Sequence, residues 1–262
     1  MSIVGEERKN IILEQINTKG KIKVEEIAMQ LKVSTETTRK YLSELEQQGK
    51  LKRVHGGAVK SFLEKQELPF SLREIENISE KQGIALEASK LIEDNDIIAL
   101  DEGSTTYKVI EYITGKKNLT ILTCSLPILS VLCDLAVKGI FDGKIIFIGG
   151  VVNAKHLRVS GGISEEMLDL IYVNKAFIST EGVSLEGGVT SYDCDKAMLS
   201  RKLVNNAKYK YVLCDHTKLD VRTSYKICDL KALTGIICDS APEKKWIDTL
   251  KQNDILWLSP SK

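Results

Sequence analysis

The chain has 262 residues, a formal net charge of +1, 43% hydrophobic and 28% charged residues and four prolines. Those proportions suit a globular protein long enough for two domains, and exclude both a disordered chain and a polyelectrolyte. No apolar run approaches the ~18 residues of a membrane-spanning helix and MSIVGEERKN does not read as a signal peptide, so a cytoplasmic protein with no membrane partner is expected.

The near-zero net charge hides a polarity. Residues 1–60 hold 12 Lys/Arg against 8 Asp/Glu, whereas the remainder holds 25 against 28. A basic head on a mildly acidic body suits a nucleic-acid-binding module joined to something that need not bind nucleic acid. The six cysteines, Cys124, Cys133, Cys194, Cys214, Cys228 and Cys238, form no C-x-x-C pair, and several sit in apolar runs such as YVLCD and GIICD. They read as reduced, mostly structural thiols, so no metal and no cofactor are expected.

From the N-terminus, Glu6–Thr18 places Ile12 and Ile16 on one helical face, and Lys19-Gly20-Lys21 breaks the pattern. Val24, Ile27, Ala28 and Leu31 repeat at helical spacing in a second, short helix. After the turn at Lys32-Val33-Ser34, Ser34 is placed to cap a third helix that starts at Thr35, buries Leu42 and Leu45 and ends at Gly49. Two short helices, a tight turn and a third helix make a helix-turn-helix. The third helix opens Thr35, Glu36, Thr37, Thr38, Arg39, Lys40, all able to hydrogen-bond, as a helix entering the major groove requires. The following KLKRVHGGAV reads as a hairpin wing offering Lys50, Lys52, Arg53 and His55 to the DNA backbone or minor groove. The expected DNA contacts are thus Ser34, Thr35, Glu36, Thr37, Thr38, Arg39, Lys40, Arg53 and His55, with a double-stranded operator as partner.

The stretch ERKNIILEQI…VSTETTRKYLSELEQQGKLKRVHGGAV resembles the N-terminal domain of the DeoR family of bacterial sugar-metabolism regulators. Arg8, Ile12, Ile16, Ser34, Thr37, Arg39, Lys40 and Leu42 match the family signature, as does HGGA at His55–Ala58. Thr38 stands where an aliphatic residue is usual and Tyr41 where aspartate is usual, so the operator preference does not carry over.

Residues 61–78 read as a linker. Pro69 interrupts them, and Ser79-Glu80-Lys81-Gln82 reads as a capping box that opens a new helix. Phe70, Arg73, Asn77 and Lys81 match a further element of the family and are expected in packing rather than in ligand contact. From residue 79 to 262 apolar runs alternate with helical stretches. The runs are Ile97–Leu100, Thr120–Thr123, Lys144–Ile148, Ala176–Ser179, Tyr209–Cys214, Gly235–Cys238 and Ile255–Leu258. The fold class is therefore α/β: a winged helix-turn-helix domain over 1–60, then a layered, largely parallel sheet flanked by helices.

Ligands of such sheets bind beyond the carboxyl ends of the strands. In IIALDEGSTTYKVI a buried strand runs into Asp101-Glu102-Gly103-Ser104-Thr105-Thr106 and then into a helix. Gly103 would let backbone N–H groups approach an anion, and three hydroxyls follow, which suits a phosphate cradle as well as an ordinary capped turn. The family resemblance decides between the two. It implies a ribose-5-phosphate-isomerase-like sensor domain whose D-x-G-[ST]-T loop, here Asp101, Gly103, Ser104 and Thr105, holds phosphate. Further family-like elements follow in order: Thr123-Cys124-Ser125, Gly149-Gly150, Gly161, Lys175-Ala176-Phe177, Glu181-Gly182, Gly188 with Thr190, and Asp215-His216-Thr217-Lys218. Cys124 departs from the usual asparagine. The expected ligand residues are Asp101, Gly103, Ser104, Thr105, Thr106, Cys124, Glu181 and Lys218.

The resemblance implies a transcriptional regulator of carbohydrate genes, a repressor relieved by a phosphorylated sugar, acting as a homo-oligomer and not as an enzyme. The rivals are a sugar-phosphate isomerase built on the carboxylates and Lys218, and a scaffold whose helix-turn-helix only packs against other proteins.

Overall fold

The computed structural model describes residues 3–47, 50–60 and 67–260. Gly49, expected beyond the third helix, and residues 61–66 of the expected linker lie outside the described residues. Contacts divide the chain into two compact units, Met1–Gln66 and Glu67–Lys262. Among the described residues no helix is long and apolar enough to cross a membrane.

The first unit runs α1 (Ile3–Lys19), β1 (Lys21–Lys23), α2 (Val24–Leu31), α3 (Thr35–Gln47), β2 (Leu51–Val54) and β3 (Gly57–Lys60). Ile12, Ile16, Ile27, Leu31, Leu42, Leu45 and Leu51 form one apolar cluster, each contributed by the inward stripe of its element. The wing has three strands rather than two, in the order β1-β3-β2, because Ile22, just after the expected break, is buried and pairs with Ala58. Gly57 is obligatory there, since a Cβ would lie 2.0 Å from the Ile22 carbonyl oxygen.

The second unit opens with α4 (Phe70–Glu74) and α5 (Ile78–Lys90). The capping-box expectation is corrected. Asn77, left-handed at φ 49, is the N-cap of α5 and Ser79 lies inside the first turn. Then come β4 (Ile97–Leu100), α6 (Ser104–Lys108), β5 (Thr120–Thr123), α7 (Leu126–Val137), β6 (Lys144–Phe147), β7 (Val151–Asn153), β8 (Arg158–Ser160) and α8 (Gly162–Leu168). The chain continues with β9 (Val173–Ser179), β10 (Gly182–Ser184), β11 (Gly188–Ser191), α9 (Cys194–Asn205), β12 (Ala207–Cys214), β13 (Tyr225–Cys228), β14 (Gly235–Cys238), α10 (Lys244–Gln252) and β15 (Leu256–Leu258).

Seven strands form one sheet in the order β15-β14-β12-β9-β4-β5-β6, and every pairing in it is parallel. Apolar clusters pack on both faces, one around Leu122, Ile178, Val212 and Trp246, the other around Ile84, Ile98, Phe177 and Leu213. Burial on both sides is why these strands read as nearly unbroken apolar runs. The strand order reverses direction around β4 and β9, so the loops after these two strands open a crevice at the carboxyl edge. Two small antiparallel sets, β7-β8 and β10-β11-β13, hang from the main sheet.

Candidate functional site

In the first unit, Lys32 takes a left-handed conformation (φ 51) that turns the chain out of α2. Ser34 then caps α3, its Oγ accepting the Thr37 N–H at 3.1 Å. Ser34, Thr35, Glu36, Arg39 and Lys40 are exposed on one side of the helix, with Thr37 half-buried. Arg53 and His55 are exposed on the wing, and the Arg53 N–H donates to Glu46 Oε1 at 2.7 Å, tying the wing to α3. Thr38 departs from the expected set. It is fully buried, and its hydroxyl donates to the Ser34 carbonyl at 3.2 Å. At i, i+4 and i+7 with Leu42 and Leu45 it shares their inward face, so it belongs to the core and is not placed to meet DNA.

In the second unit the crevice is a cleft of about 530 Å³, space open to solvent included. Ser104 and Thr105 of α6 form one wall, with Gly103 at the turn. A Cβ on Gly103 would lie 2.5 Å from Ser179 Cβ, so only glycine lets the loop lie this close to β9. The ends of β9 and β12 supply Ser179, Thr180, Glu181, Asp215, Thr217 and Lys218. The sequence-predicted Gly103, Ser104, Thr105, Glu181 and Lys218 therefore meet in one cleft.

Asp101, Thr106 and Cys124 stand behind it. Asp101 is fully buried and braces the loop: its carboxylate accepts the Glu102 N–H at 2.8 Å, the Ser200 hydroxyl at 2.8 Å and the Ser179 N–H at 3.2 Å. Burial pushes its carboxyl up to about 7, against the pull of Lys196. Thr106 Oγ1 lies 2.8 Å from the Asp101 carbonyl and 3.0 Å from that of Gly103, folding the turn on itself. Cys124 is buried with Sγ 4.0 Å from Asp101 Oδ1, and burial pushes its thiol far up. None of the three lines the cleft. The expected direct ligand contact of these side chains is replaced by a supporting position.

Arg73, Asn77 and Lys81, expected in packing, line the cleft instead. Phe70 does pack, edge-on against Tyr107 with ring centroids 5.8 Å apart. Lys81 Nζ donates to the carbonyls of Arg73 at 2.5 Å and Glu76 at 2.6 Å, holding the α4–α5 turn. Burial lowers its pKa to about 8, although Asp215 opposes this.

Beneath the cleft lies an ionic cluster that sequence reasoning missed. Glu102, 1% exposed, is ion-paired to Arg158 at 2.8 Å, Arg73 at 3.3 Å and Lys196 at 3.6 Å. Burial works against its charge, but Lys196, Arg73 and Arg158 hold its carboxyl down to about 2. Glu67 pairs with Arg158 at 2.7 Å and Arg73 at 2.8 Å, and Lys196 pairs with Glu181 at 2.5 Å. Glu67, Glu102 and Glu181 have the spacing of a metal-ligand group, but these three cations already interleave with them. Arg73 and Lys81 had a signal in the Phe-x-x-Arg and Lys match; Arg158 and Lys196 had none.

A family model described as the DeoR C terminal sensor domain matches residues 76–240, and one described as the DeoR-like helix-turn-helix domain matches residues 8–61. The HTH-type transcriptional regulator GolR of Listeria innocua is 32% identical over 238 residues, 91% of this chain and 92% of that protein. The lactose phosphotransferase system repressor of Staphylococcus aureus is 32% identical over 246 residues, 94% of this chain and 96% of that one. Among solved structures, ribose 5-phosphate isomerase A from Methanocaldococcus jannaschii is 19% identical with a TM-score of 0.40, covering 55% of each chain.

Proposed function

Because this chain belongs to the DeoR family of transcriptional regulators, whose two domain models it matches in order, we propose that it is a cytoplasmic repressor of carbohydrate genes released by a phosphorylated sugar. The observation that carries the sensing half is the cleft. Gly103, Ser104 and Thr105 line one cavity with Lys81, Lys218 and Arg73, which pairs backbone and hydroxyl donors with cations, as a phosphate monoester requires. The name of the Staphylococcus aureus relative, a repressor of a sugar phosphotransferase system, supports the same ligand class. Its relatives are named as regulators, and an isomerase would have no use for the exposed polar face of α3.

In this proposal α3 enters the major groove with Arg39 at a base edge, while Lys40, Arg53 and His55 lie near phosphates. Two heads of a homo-oligomer read two half-sites. The sugar phosphate shifts DNA affinity by as much as it prefers one arrangement of the sensor over the other. The test is fluorescence anisotropy on DNA from upstream of the protein's own gene, with excess competitor. Binding that resists competitor, weakens steeply with salt and is relieved by a sugar phosphate is the expected result. Absence of binding by the folded protein at every salt concentration refutes the proposal. Thermal shift with Thr105→Ala as control locates the ligand; equal shifts in both proteins place it elsewhere.

A further inference from the structure

Glu181 sits at the end of β9 in the wall of the cleft and is 7% exposed. Its two carboxylate oxygens are treated differently. Oε1 takes the Lys196 ammonium at 2.5 Å, while Oε2 is buried with no hydrogen-bond partner in the protein. A buried carboxylate oxygen without a donor is costly, and in a cleft wall the missing donor is supplied by whatever occupies the cleft. The cations nearby already carry ion pairs, while Arg73 Nε and Arg158 Nε, both buried, have no hydrogen-bond partner. Lys196 holds Glu181 and Glu102, Arg158 holds Glu67, Glu102 and Asp193, and Arg73 holds Glu67 and Glu102.

Resting on the phosphate-cleft reading, we infer that Glu181 selects the other end of the ligand: the cleft takes a monophosphorylated sugar with an uncharged hydroxyl at Oε2, and rejects a second phosphate or a carboxylate there. A hydroxyl donates a proton to the acceptor that lacks one. A second phosphate would instead bring negative charge against a carboxylate whose counter-ion, Lys196, is shared with Glu102. A site built to hydrogen-bond a hydroxyl also discriminates against a ligand that lacks it, because its buried acceptor is then left bare. Selectivity then comes from one oxygen atom, and recognition of the phosphate from the Gly103–Thr105 turn.

The experiment is calorimetric titration of the full-length protein with inorganic phosphate, a set of hexose 6-phosphates and the matching hexose 1,6-bisphosphates. The expected ranking places at least one hexose monophosphate about tenfold tighter than inorganic phosphate, and its bisphosphate about tenfold weaker than the monophosphate. Glu181→Gln removes a negative charge from the cleft, so it should not weaken inorganic phosphate binding and should shrink the gap between monophosphate and bisphosphate to within about threefold. A bisphosphate binding as tightly as its monophosphate to the wild-type protein overturns the inference. So does a Glu181→Gln protein that keeps the full gap. If that variant fails to fold, as its circular dichroism would reveal, the wild-type ranking alone decides. Failure of every probe, inorganic phosphate included, rejects the phosphate cleft itself. Phosphate binding without monophosphate preference rejects only the role of Glu181.

Discussion

Arg158→Met should cost the second unit about 3 kcal/mol, at the lower end of the ~3–5 kcal/mol lost when one partner of a buried ion pair is removed. The Arg158 side chain is 1% exposed and ion-pairs with Glu67 at 2.7 Å, Glu102 at 2.8 Å and Asp193 at 3.0 Å. Removing the guanidinium leaves Glu102 to Arg73 and Lys196, and Glu67 to Arg73. That remaining neutralisation sets the lower end, and methionine fills much of the vacated volume. For a unit of this size ~3 kcal/mol corresponds to roughly 6–12 °C in Tm. Both tryptophans, Trp246 and Trp257, lie in the second unit with ring centroids 5.7 Å apart, so urea unfolding followed by tryptophan fluorescence reads this unit selectively. Adding Glu67→Gln to Arg158→Met should cost less than the two single changes together, because the neutral amide no longer needs the guanidinium. A loss below about 1 kcal/mol, or strict additivity, would refute the idea that the cluster acts as one neutralised unit.

Gly103→Ala forces Ser179 or the loop to move, because the new Cβ would lie 2.5 Å from Ser179 Cβ. It should cost ~1–3 kcal/mol and abolish stabilisation by sugar phosphates; a variant with wild-type thermal shifts contradicts this. On α3, Arg39→Ala should weaken operator binding by ~1–3 kcal/mol, whereas Thr38→Val, buried, should leave affinity within about threefold. The reverse ranking in anisotropy would mean the helix is oriented differently. Burial, with Arg158 and Arg73 adding to it, lowers the His156 pKa to about 4. As pH falls from about 6.5, the unfolded chain takes a proton that folded His156 refuses until about 4, so this residue subtracts stability across that window. Asp101, pushed up to about 7, acts with the opposite sign, taking its proton first in the folded state as pH falls from about 7. His156→Asn should therefore gain on the wild type between pH 6.5 and 4 in urea titrations; a constant difference across that range counts against it.

The sequence by itself determined the local elements and their order. The seven strands of the parallel sheet were legible as apolar runs because burial on both faces leaves no room for polar alternation. The third helix was legible through its Ser34 cap and its Leu42 and Leu45 stripe, and Gly103-Ser104-Thr105 through its place between an apolar strand and a helix. The strands β7, β8, β10, β11 and β13 are three or four residues long, as are several strands of the main sheet, but none holds more than two consecutive apolar residues, so none stood out as an apolar run.

Only the tertiary structure decided which members of a motif face the cleft and which brace it. Asp101, Thr106 and Thr38 each lie within a recognised motif, yet their side chains turn inward to hydrogen-bond backbone groups, and that direction follows from packing rather than from residue type. The ionic cluster is illegible for a different reason. Arg158 meets Glu67 across 91 positions and Glu102 across 56, and no local pattern records a pairing created when β8, β4 and the segment before α4 converge. Charges so distant in sequence become neighbours only when the chain has closed around them, and there low polarity makes their pairing obligatory.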